Sequence, residues 1–238
     1  MQQSAALECR RKTLHHTKLI AMQITIELPG VKLGVLEAHN LRVQLVHEAL
    51  AAEMDAACNR VRQRVTPEQV AEMDVVSATR RLFRAWGLDP ARYRPSSEAL
   101  LRRVAQGKGL YRVSTAVDII NLGSMETGWP YGAYDMANVT PPVTFRHGVA
   151  GETYDGIGKH TWHLEGKPVL ADSAGPFGMP ISDSTRTMIT EGTQSVLTVI
   201  FAPLATDVEA IQSALDKLAD RFSRYCDASD FRASIQFQ

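Results

Sequence analysis

The sequence is poor in cysteine and carries no excess of charge of either sign. Its three cysteines, Cys9, Cys58 and Cys226, lie far apart and form no C-x-x-C pair, which argues against a disulfide framework and against a cysteine-rich zinc site. Lysine plus arginine (26) equals aspartate plus glutamate (26), so no net field draws the whole molecule towards nucleic acid or membrane. Any site for a polyanion must therefore be a local patch, and the cysteine usage predicts a cytoplasmic protein.

Long apolar runs and low-complexity segments are also missing. No stretch approaches the roughly 20 apolar residues of a membrane span, and the N-terminal segment lacks the apolar core of a secretory leader. Hydrophobic residues make up 45% of the 238 residues and charged residues 22%, as in ordinary globular chains. We therefore expect a flexible N-terminal arm over residues 1–21 and a single domain over 22–238, with no membrane contact.

The hydrophobic pattern predicts an α+β fold. Residues 22–28 and 33–38 alternate as strands do, while 45–65 has helical composition without internal Gly or Pro. Thr66, followed by Pro67, predicts the start of a second helix that runs to Gly87. A third helix is predicted from Ser96, and the Gly- and Pro-rich region 123–180 predicts short strands and loops. The apolar segment 195–201, a helix over 208–222 and an alternating C-terminal segment complete the expected fold.

Basic residues are concentrated in one part of the chain. The segment from Arg80 to Arg112 contains nine basic and two acidic residues, and most of the nine are arginines. A guanidinium group binds a phosphate through two parallel hydrogen bonds, which favours a phosphate-bearing partner. The alternative is that these residues form solvated helix faces, as charge runs often do. The predicted RNA-binding residues are Arg94, Arg102, Arg103, Lys108 and Arg112.

Four residues in the middle of the chain are possible metal ligands. His147, Asp155, His160 and His163 have suitable side chains, but their spacing matches no established metal motif and falls in a loop-rich region. Surface or edge-strand histidines explain them better, so we expect no metal and no cofactor.

A polar and glycine-rich segment is the better candidate for a functional site. Asp118 and Asn121 lie three residues apart, on one side of a helix if Thr115 caps it, and Pro130 and Gly132 break the chain shortly before Asp135. Glycine lets a ligand approach the backbone, so polar groups beside a glycine wall predict a binding pocket. Alternatively, Asp118 and Asn121 only cap and pin loops.

The order of several short motifs resembles a known family. V-D-x-x-N ends at Asn121, P-x-x-A-[FY]-D ends at Asp135, Asp155-Gly156 and V-L-A-D follow, and T-E-G-T-Q precedes the apolar strand. Together they resemble the tRNA-editing module of the bacterial phenylalanyl-tRNA synthetase beta subunit, called the B3/B4 domain. The resemblance covers residues 93–202 and is nearest to the free-standing proteins that carry this module without a synthetase.

This resemblance implies an activity and a set of site residues. In the synthetase the module hydrolyses the ester that joins a wrong amino acid, chiefly tyrosine, to the 3′ end of a tRNA. The synthetase pattern has a histidine where this chain has Gly132 and a glutamate near the position of Thr185. The predicted catalytic residues, which position water, are Asn121, Asp183 and Thr185. The predicted substrate-binding residues are Asp118, Pro130, Gly132, Tyr134 and Asp135.

Two functions fit this resemblance. The first is a hydrolase that acts in trans on mis-aminoacylated tRNA and binds the acceptor end through the basic segment. The second is a non-catalytic module that binds an amino acid or a related small metabolite. Gly132 favours the second function and the arginine-rich segment favours the first. The sequence does not name the amino acid or the oligomeric state.

Overall fold

The computed structural model describes residues 21–158 and 160–238, so the arm predicted over 1–21 lies almost wholly outside the described residues. Within them the chain folds into five α-helices and ten β-strands, which confirms the predicted α+β class. The helices are α1 (Glu48–Arg62), α2 (Asp74–Ala85), α3 (Ser96–Ala105), α4 (Thr115–Thr127) and α5 (Val208–Cys226).

The strands form two four-stranded sheets and one small hairpin. The strands are β1 (Ile24–Ile26), β2 (Val31–His39), β3 (Tyr131–Asp135), β4 (Val143–His147), β5 (Thr153–Asp155), β6 (Thr161–His163), β7 (Pro168–Asp172), β8 (Gly175–Gly178), β9 (Ser195–Pro203) and β10 (Asp230–Gln236). One sheet has the order β1-β4-β7-β8 and the other has the order β10-β2-β9-β3. The hairpin consists of β5 and β6. Strand β3 is therefore an edge strand of its sheet.

Strand β9 shows how one sheet builds two cores. Its side chains alternate, so that Val196 and Ile200 pack among the helices while Val199 and Phe201 pack towards the other sheet. Because both faces are covered, β9 is apolar almost without interruption. The helices α1, α3, α4 and α5 thus share one core, and the two sheets enclose the other.

The predicted helix from Thr66 to Gly87 is wrong in one respect, because it is divided. A single 3-10 turn spans Gln69–Glu72, Met73 is extended, and α2 begins only at Asp74. The backbone N–H of Thr66 donates to the Gln69 side chain at 2.9 Å, so the capping pair forms but serves only the short turn. The turn buries Val70 in the helical core.

Helix α4 continues past Gly123, where the sequence predicted strands and loops. A Cβ atom at Gly123 would lie 2.9 Å from the Tyr131 ring and 3.2 Å from Leu218. Glycine is therefore required by close packing of α4 on β3 and α5, and it does not end the helix. Ser114, not Thr115, occupies the N-cap position, and its side chain makes no capping hydrogen bond. The Thr115 hydroxyl instead accepts from the backbone N–H of Gln44.

Candidate functional site

Asp183 is the centre of a polar group at the free edge of β3, and its side chain is half-buried. Its carboxyl accepts a hydrogen bond from the Tyr134 hydroxyl at 3.0 Å. The backbone N–H groups of Ala133 and Met179 lie close enough to favour the ionised form of this carboxyl. Ala133 lies on the edge strand β3, so its N–H points away from β9 and needs a partner outside the sheet. Asp183 therefore closes the edge of the sheet with its side chain.

Burial makes Asp183 a weaker acid than an ordinary aspartate. Removal from water raises its pKa from the ordinary value to about 7, although the bonds from Tyr134 and the two backbone donors act in the opposite direction. No lysine or arginine forms an ion pair with Asp183 within residues 21–158 and 160–238. The carboxyl is therefore divided between its acid and base forms at neutral pH.

Tyr134 fills the space between two glycines. A Cβ atom at Gly132 or at Gly178 would overlap the Tyr134 ring, and the ring packs edge-on against Phe177 with centroids 4.8 Å apart. The side chain is fully buried, and burial raises the pKa of its hydroxyl far above the ordinary value. A histidine at position 132, as in the synthetase pattern, is incompatible with this position of Tyr134.

The hairpin β5–β6 holds the segment that carries Asp183 and Thr185. The backbone N–H of Ile157 donates to the carbonyl of Asp183 at 3.1 Å, and the Tyr154 hydroxyl donates to the carbonyl of Ser182 at 2.6 Å. The Thr185 hydroxyl donates to the carbonyl of Asp155 at 3.2 Å and is exposed. Thr185 thus lies at the surface, two residues along the chain from the half-buried Asp183.

Asp118 and Asn121 lie on the other side of β3. Both belong to α4, which packs on the sheet face opposite Tyr134. The buried Asp118 carboxyl accepts from the backbone N–H of Val113 at 2.9 Å, and burial raises its pKa. Asn121 is half-buried, and no hydrogen bond joins it to Asp183 or Thr185 in the described structure. Any role of these two residues towards a substrate stays a prediction.

Pro130 and Asp135 stand at the two ends of β3. The carbonyl of Pro130 accepts from the backbone N–H of Phe201 at 2.9 Å. The buried Asp135 carboxylate accepts from the Thr193 hydroxyl at 2.8 Å and from the backbone N–H of Ala137 at 3.0 Å. Both residues fix the strand. Gly132, Tyr134 and Asp183 come together on one side of it, whereas the Thr185 side chain binds the hairpin.

Much of the basic segment surrounds one buried carboxylate. Arg80 contacts both oxygens of Glu98 at 2.9 Å, and Arg102 contacts one of them at 2.9 Å. Arg94 lies 3.7 Å from the same group, and the Glu98 side chain is fully buried. Arg80, Arg94 and Arg102 around Glu98 are termed here the Glu98 cluster. The Glu98 carboxylate thus compensates part of the positive charge of the basic segment.

The remaining predicted RNA-binding residues differ in their availability. Arg112 is 2.6 Å from the Asp55 carboxylate. Arg103 stacks on the Tyr111 ring at 3.9 Å from its centroid, and Lys108 is exposed. Arg103 and Lys108 have no carboxylate partner among the ion pairs of the described residues.

The cavity between α4 and α5 does not include this polar group. It is lined in part by Tyr131, Lys217 and Arg221. The Arg221 guanidinium is already paired at 2.8 Å with Glu53 and at 2.8 Å with Glu126, so its charge is compensated. The Arg221 side chain in this cavity is therefore not free to pair with an anionic ligand.

The possible metal ligands are not assembled. Within the described part of the chain, no group of three or more His, Cys, Asp or Glu side chains is arranged to hold a metal ion. His147 instead lies 3.2 Å from the carbonyl of Trp86, and His160 packs against Trp162. No helix of the described residues is long and apolar enough to cross a membrane.

The sequence did not point to several residues that build this site. Gly178 lies against the Tyr134 ring, and Met179 lies near Asp183 through its backbone. Gly178 carries no local signal in the sequence, because it meets Tyr134 only once the chain is folded. The backbone donors leave no trace in residue type, since every residue except proline carries an N–H.

This geometry defines a class of protein: a mixed α+β fold in which a half-buried carboxyl binds a tyrosine that lies between two glycines. The family model described as the B3/4 domain matches residues 78–237. The chain therefore belongs to the B3/4 domain family.

The similar curated proteins are phenylalanine–tRNA ligase beta subunits. The chain is 37% identical over 82 residues to the one from Chromobacterium violaceum, covering 34% of this chain and 10% of that protein. It is 34% identical over 133 residues to that of Haemophilus influenzae, covering 54% and 17%. It is 31% identical over 160 residues to that of Streptomyces avermitilis, covering 63% and 19%. The chain thus matches no more than about a fifth of the length of these relatives.

The chain is also similar to a solved structure. It is an N-terminal fragment of the phenylalanyl-tRNA synthetase beta subunit from Pyrococcus horikoshii, which is 14% identical with a TM-score of 0.46. The match covers 94% of this chain and 57% of that chain.

Proposed function

We propose that this protein hydrolyses the ester bond of mis-aminoacylated tRNA in trans, with Asp183 as the general base. The observation that supports this function is the Asp183 carboxyl itself, whose pKa is raised to about 7 by burial. A base works best when its pKa lies near the operating pH, because it is then ionised and still a good proton acceptor. Family membership supplies the connection to tRNA, since the similar relatives are tRNA ligase subunits.

The reaction needs few catalytic groups, because an aminoacyl ester is already activated. Water attacks the ester carbonyl carbon and gives a proton to Asp183. The bond between that carbon and the ribose oxygen then breaks, the ribose oxygen takes the proton, and a free amino acid and a tRNA with its terminal hydroxyl restored leave the site. A carboxylate has about four acceptor directions, and the Tyr134 hydroxyl occupies one of those of Asp183, so acceptor capacity remains for water.

The position of Tyr134 limits the substrate. Its ring occupies the space between Gly132 and Gly178, so a bulky aromatic aminoacyl group does not fit there. We therefore propose a substrate with a small amino acid side chain, oriented at the surface by the exposed Thr185 hydroxyl. Arg103 and Lys108, which lack carboxylate partners in the described structure, are the proposed contacts to tRNA phosphates. The reaction is expected in the cytoplasm.

A deacylation assay tests this function. Full-length protein is incubated with tRNAs charged with small, branched and aromatic amino acids between pH 5.5 and 8.5. We expect the rate to rise with pH around a midpoint near 7, since the base form of Asp183 is the active one. Asp183→Asn should lower the rate by about 100-fold or more. Glu165→Gln, which changes an exposed carboxylate on the loop after β6, is the matched control and should leave the rate unchanged.

The second function is a non-catalytic module that binds an amino acid or a related metabolite. The buried Tyr134 favours it, because the chain's own side chain fills the glycine-lined space. In that case no charged tRNA is hydrolysed, while a free amino acid raises the melting temperature of the protein.

For the hydrolase, an unchanged deacylation rate in Asp183→Asn would refute Asp183 as the base.

A further inference from the structure

A second surface beside Asp183 combines aromatic rings with positive charge. The rings of Tyr93 and Trp162 lie 6.5 Å apart between centroids, and His160 packs edge-on against Trp162 at 5.1 Å. The Arg92 guanidinium lies 5.1 Å and the Lys167 ammonium 5.2 Å from the centre of the Tyr93 ring. These five residues are termed here the Tyr93–Trp162 surface.

The exposure of Trp162 distinguishes it from the other tryptophans of the chain. Trp86 is 2% exposed and Trp129 is 9% exposed, whereas Trp162 is only partly buried. Gly156 allows the indole to lie against the backbone of the hairpin, because a Cβ atom there would be 2.7 Å from the indole nitrogen. The fold therefore fixes a large aromatic ring at the surface, a feature typical of ligand-binding surfaces.

This surface is attached to the proposed catalytic segment from both sides. The backbone N–H of Ser96, three residues after Tyr93, donates to the carbonyl of Pro180 at 3.1 Å. On the other side the hairpin that carries Trp162 binds the carbonyl of Asp183 through Ile157. Residues 180–185 thus lie between the Tyr93 loop and the hairpin. A ligand on the rings would lie next to Asp183 and Thr185.

Charge and ring type together indicate which ligand fits. The faces of bases in a duplex are covered by neighbouring bases, whereas unpaired bases stack on Tyr, Trp and His. Arg and Lys beside the rings match the phosphates that join such bases.

We infer that the Tyr93–Trp162 surface binds the unpaired bases at the 3′ end of an RNA, with Arg92 and Lys167 contacting the adjoining phosphates. The inference rests on the proposed function, because it names the surface that presents an aminoacylated RNA end to Asp183. It concerns binding alone, so it is measured without any hydrolysis.

Titration with short RNA tests the inference. The probes are the single-stranded RNA 5′-ACCA-3′ and an RNA duplex without overhangs. Quenching of intrinsic fluorescence reports on Trp162, the partly buried tryptophan, and anisotropy of a labelled oligonucleotide gives the affinity. We expect the single strand to quench and the duplex to leave the fluorescence unchanged. Trp162→Phe should abolish the quenching.

Two sets of variants separate stacking from charge. Tyr93→Ala should weaken binding about tenfold or more, while Tyr93→Phe keeps the ring and the affinity. Arg92→Ala combined with Lys167→Ala should reduce the slope of log affinity against log salt by about 1–2. Phe237→Ala is the matched control, because Phe237 is also exposed beside a lysine, at 5.6 Å, but at the other end of the chain. It should leave the affinity unchanged.

The outcomes distinguish this inference from the proposed function. If Tyr93→Ala and the double variant bind RNA as tightly as the original protein, or if the duplex binds equally well, the inference is refuted. Deacylation that is insensitive to Tyr93→Ala would refute the surface and leave the hydrolase intact. Conversely, oligonucleotide binding that depends on Tyr93 in a protein that deacylates no tRNA would support the surface and refute the hydrolase.

Discussion

Two carboxyl groups in this protein, the buried Glu98 and the half-buried Asp183, have opposite surroundings. Glu98 on α3 is enclosed by the guanidinium groups of Arg80, Arg94 and Arg102. Asp183 is held by a phenol hydroxyl and backbone N–H groups, and no cation pairs with it among the described residues. One negative charge is compensated by positive charge and the other only by dipoles.

This difference separates a structural carboxylate from a chemically active one. The Glu98 carboxylate joins the elements that supply its cations, here α2, the loop before α3 and α3 itself. The Asp183 carboxyl has no cation beside it in the described structure, and its pKa is raised to about 7, which suits a group that transfers protons at neutral pH. The sequence alone does not distinguish the two, because the environment of each group comes from distant parts of the chain.

Removing the charge of Glu98 should have the largest effect on stability. Glu98→Gln leaves Arg80 and Arg102 close together without a counter-charge, and breaking a buried ion pair costs about 3–5 kcal/mol. Urea denaturation at pH 7 measures the loss in the free energy of unfolding. Glu72→Gln, an exposed glutamate, is the control and should change it by less than about 0.5 kcal/mol. Equal stability of the two variants would contradict the structural role of Glu98.

Asp183→Asn should change how stability depends on pH. The pKa of Asp183 is about 7 in the folded protein and near 4 when unfolded, so between these values only the folded state holds the proton. The free energy of unfolding therefore falls as pH rises from about 4 to 7, by roughly 3–4 kcal/mol from this group. Asparagine cannot titrate, so the stability of the variant should increase relative to that of the original protein as the pH rises across this range. Urea denaturation between pH 4 and 8 tests this, and parallel pH profiles would show that Asp183 does not titrate there.

Tyr134→Phe should remove one of the dipoles that stabilise ionised Asp183. The hydroxyl bond lowers the pKa of Asp183, so its loss should raise that pKa further above 7. A hydrogen bond to a charged group contributes about 1.5–3 kcal/mol, so stability should fall by this amount at pH 8.5 and by less at pH 5. Tyr111→Phe, at an exposed tyrosine, is the control. A loss that is the same at both pH values would mean that the hydroxyl does not bind the ionised carboxyl.

Regular periodicity made much of the fold predictable. The alternation over 22–28 contains β1, the spacing over 208–222 lies within α5, and the helix predicted from Ser96 is α3. These elements are determined by which face they bury, and that information is local in the sequence. The break at Met73 was not predictable, because it depends on where Val70 meets the helical core.

The site was predictable only in part, for the same reason. The resemblance pointed to Gly132, Tyr134 and Asp183, which the fold does bring together, and to Thr185, which binds the neighbouring hairpin. It also pointed to Asn121, which lies across β3 from them. Which face of β3 each motif approaches depends on the packing of α4 against the sheet, and motif order carries no information on it.

Arg94→Ala should have the smallest effect on stability, because Arg94 is the outermost arginine of the Glu98 cluster. Arg94 is 3.7 Å from Glu98 and its side chain is 48% exposed, whereas Arg80 is 2.9 Å away and 18% exposed. Water screens the outer pair, so Arg94→Ala should lower the free energy of unfolding by less than about 1 kcal/mol. Arg80→Ala, the matched variant, leaves a buried carboxylate with one fewer close cation and should cost clearly more in the same urea titration. If the two losses are equal, the cluster acts through its total charge, and the contrast with Asp183 then reflects the number of cations more than their burial.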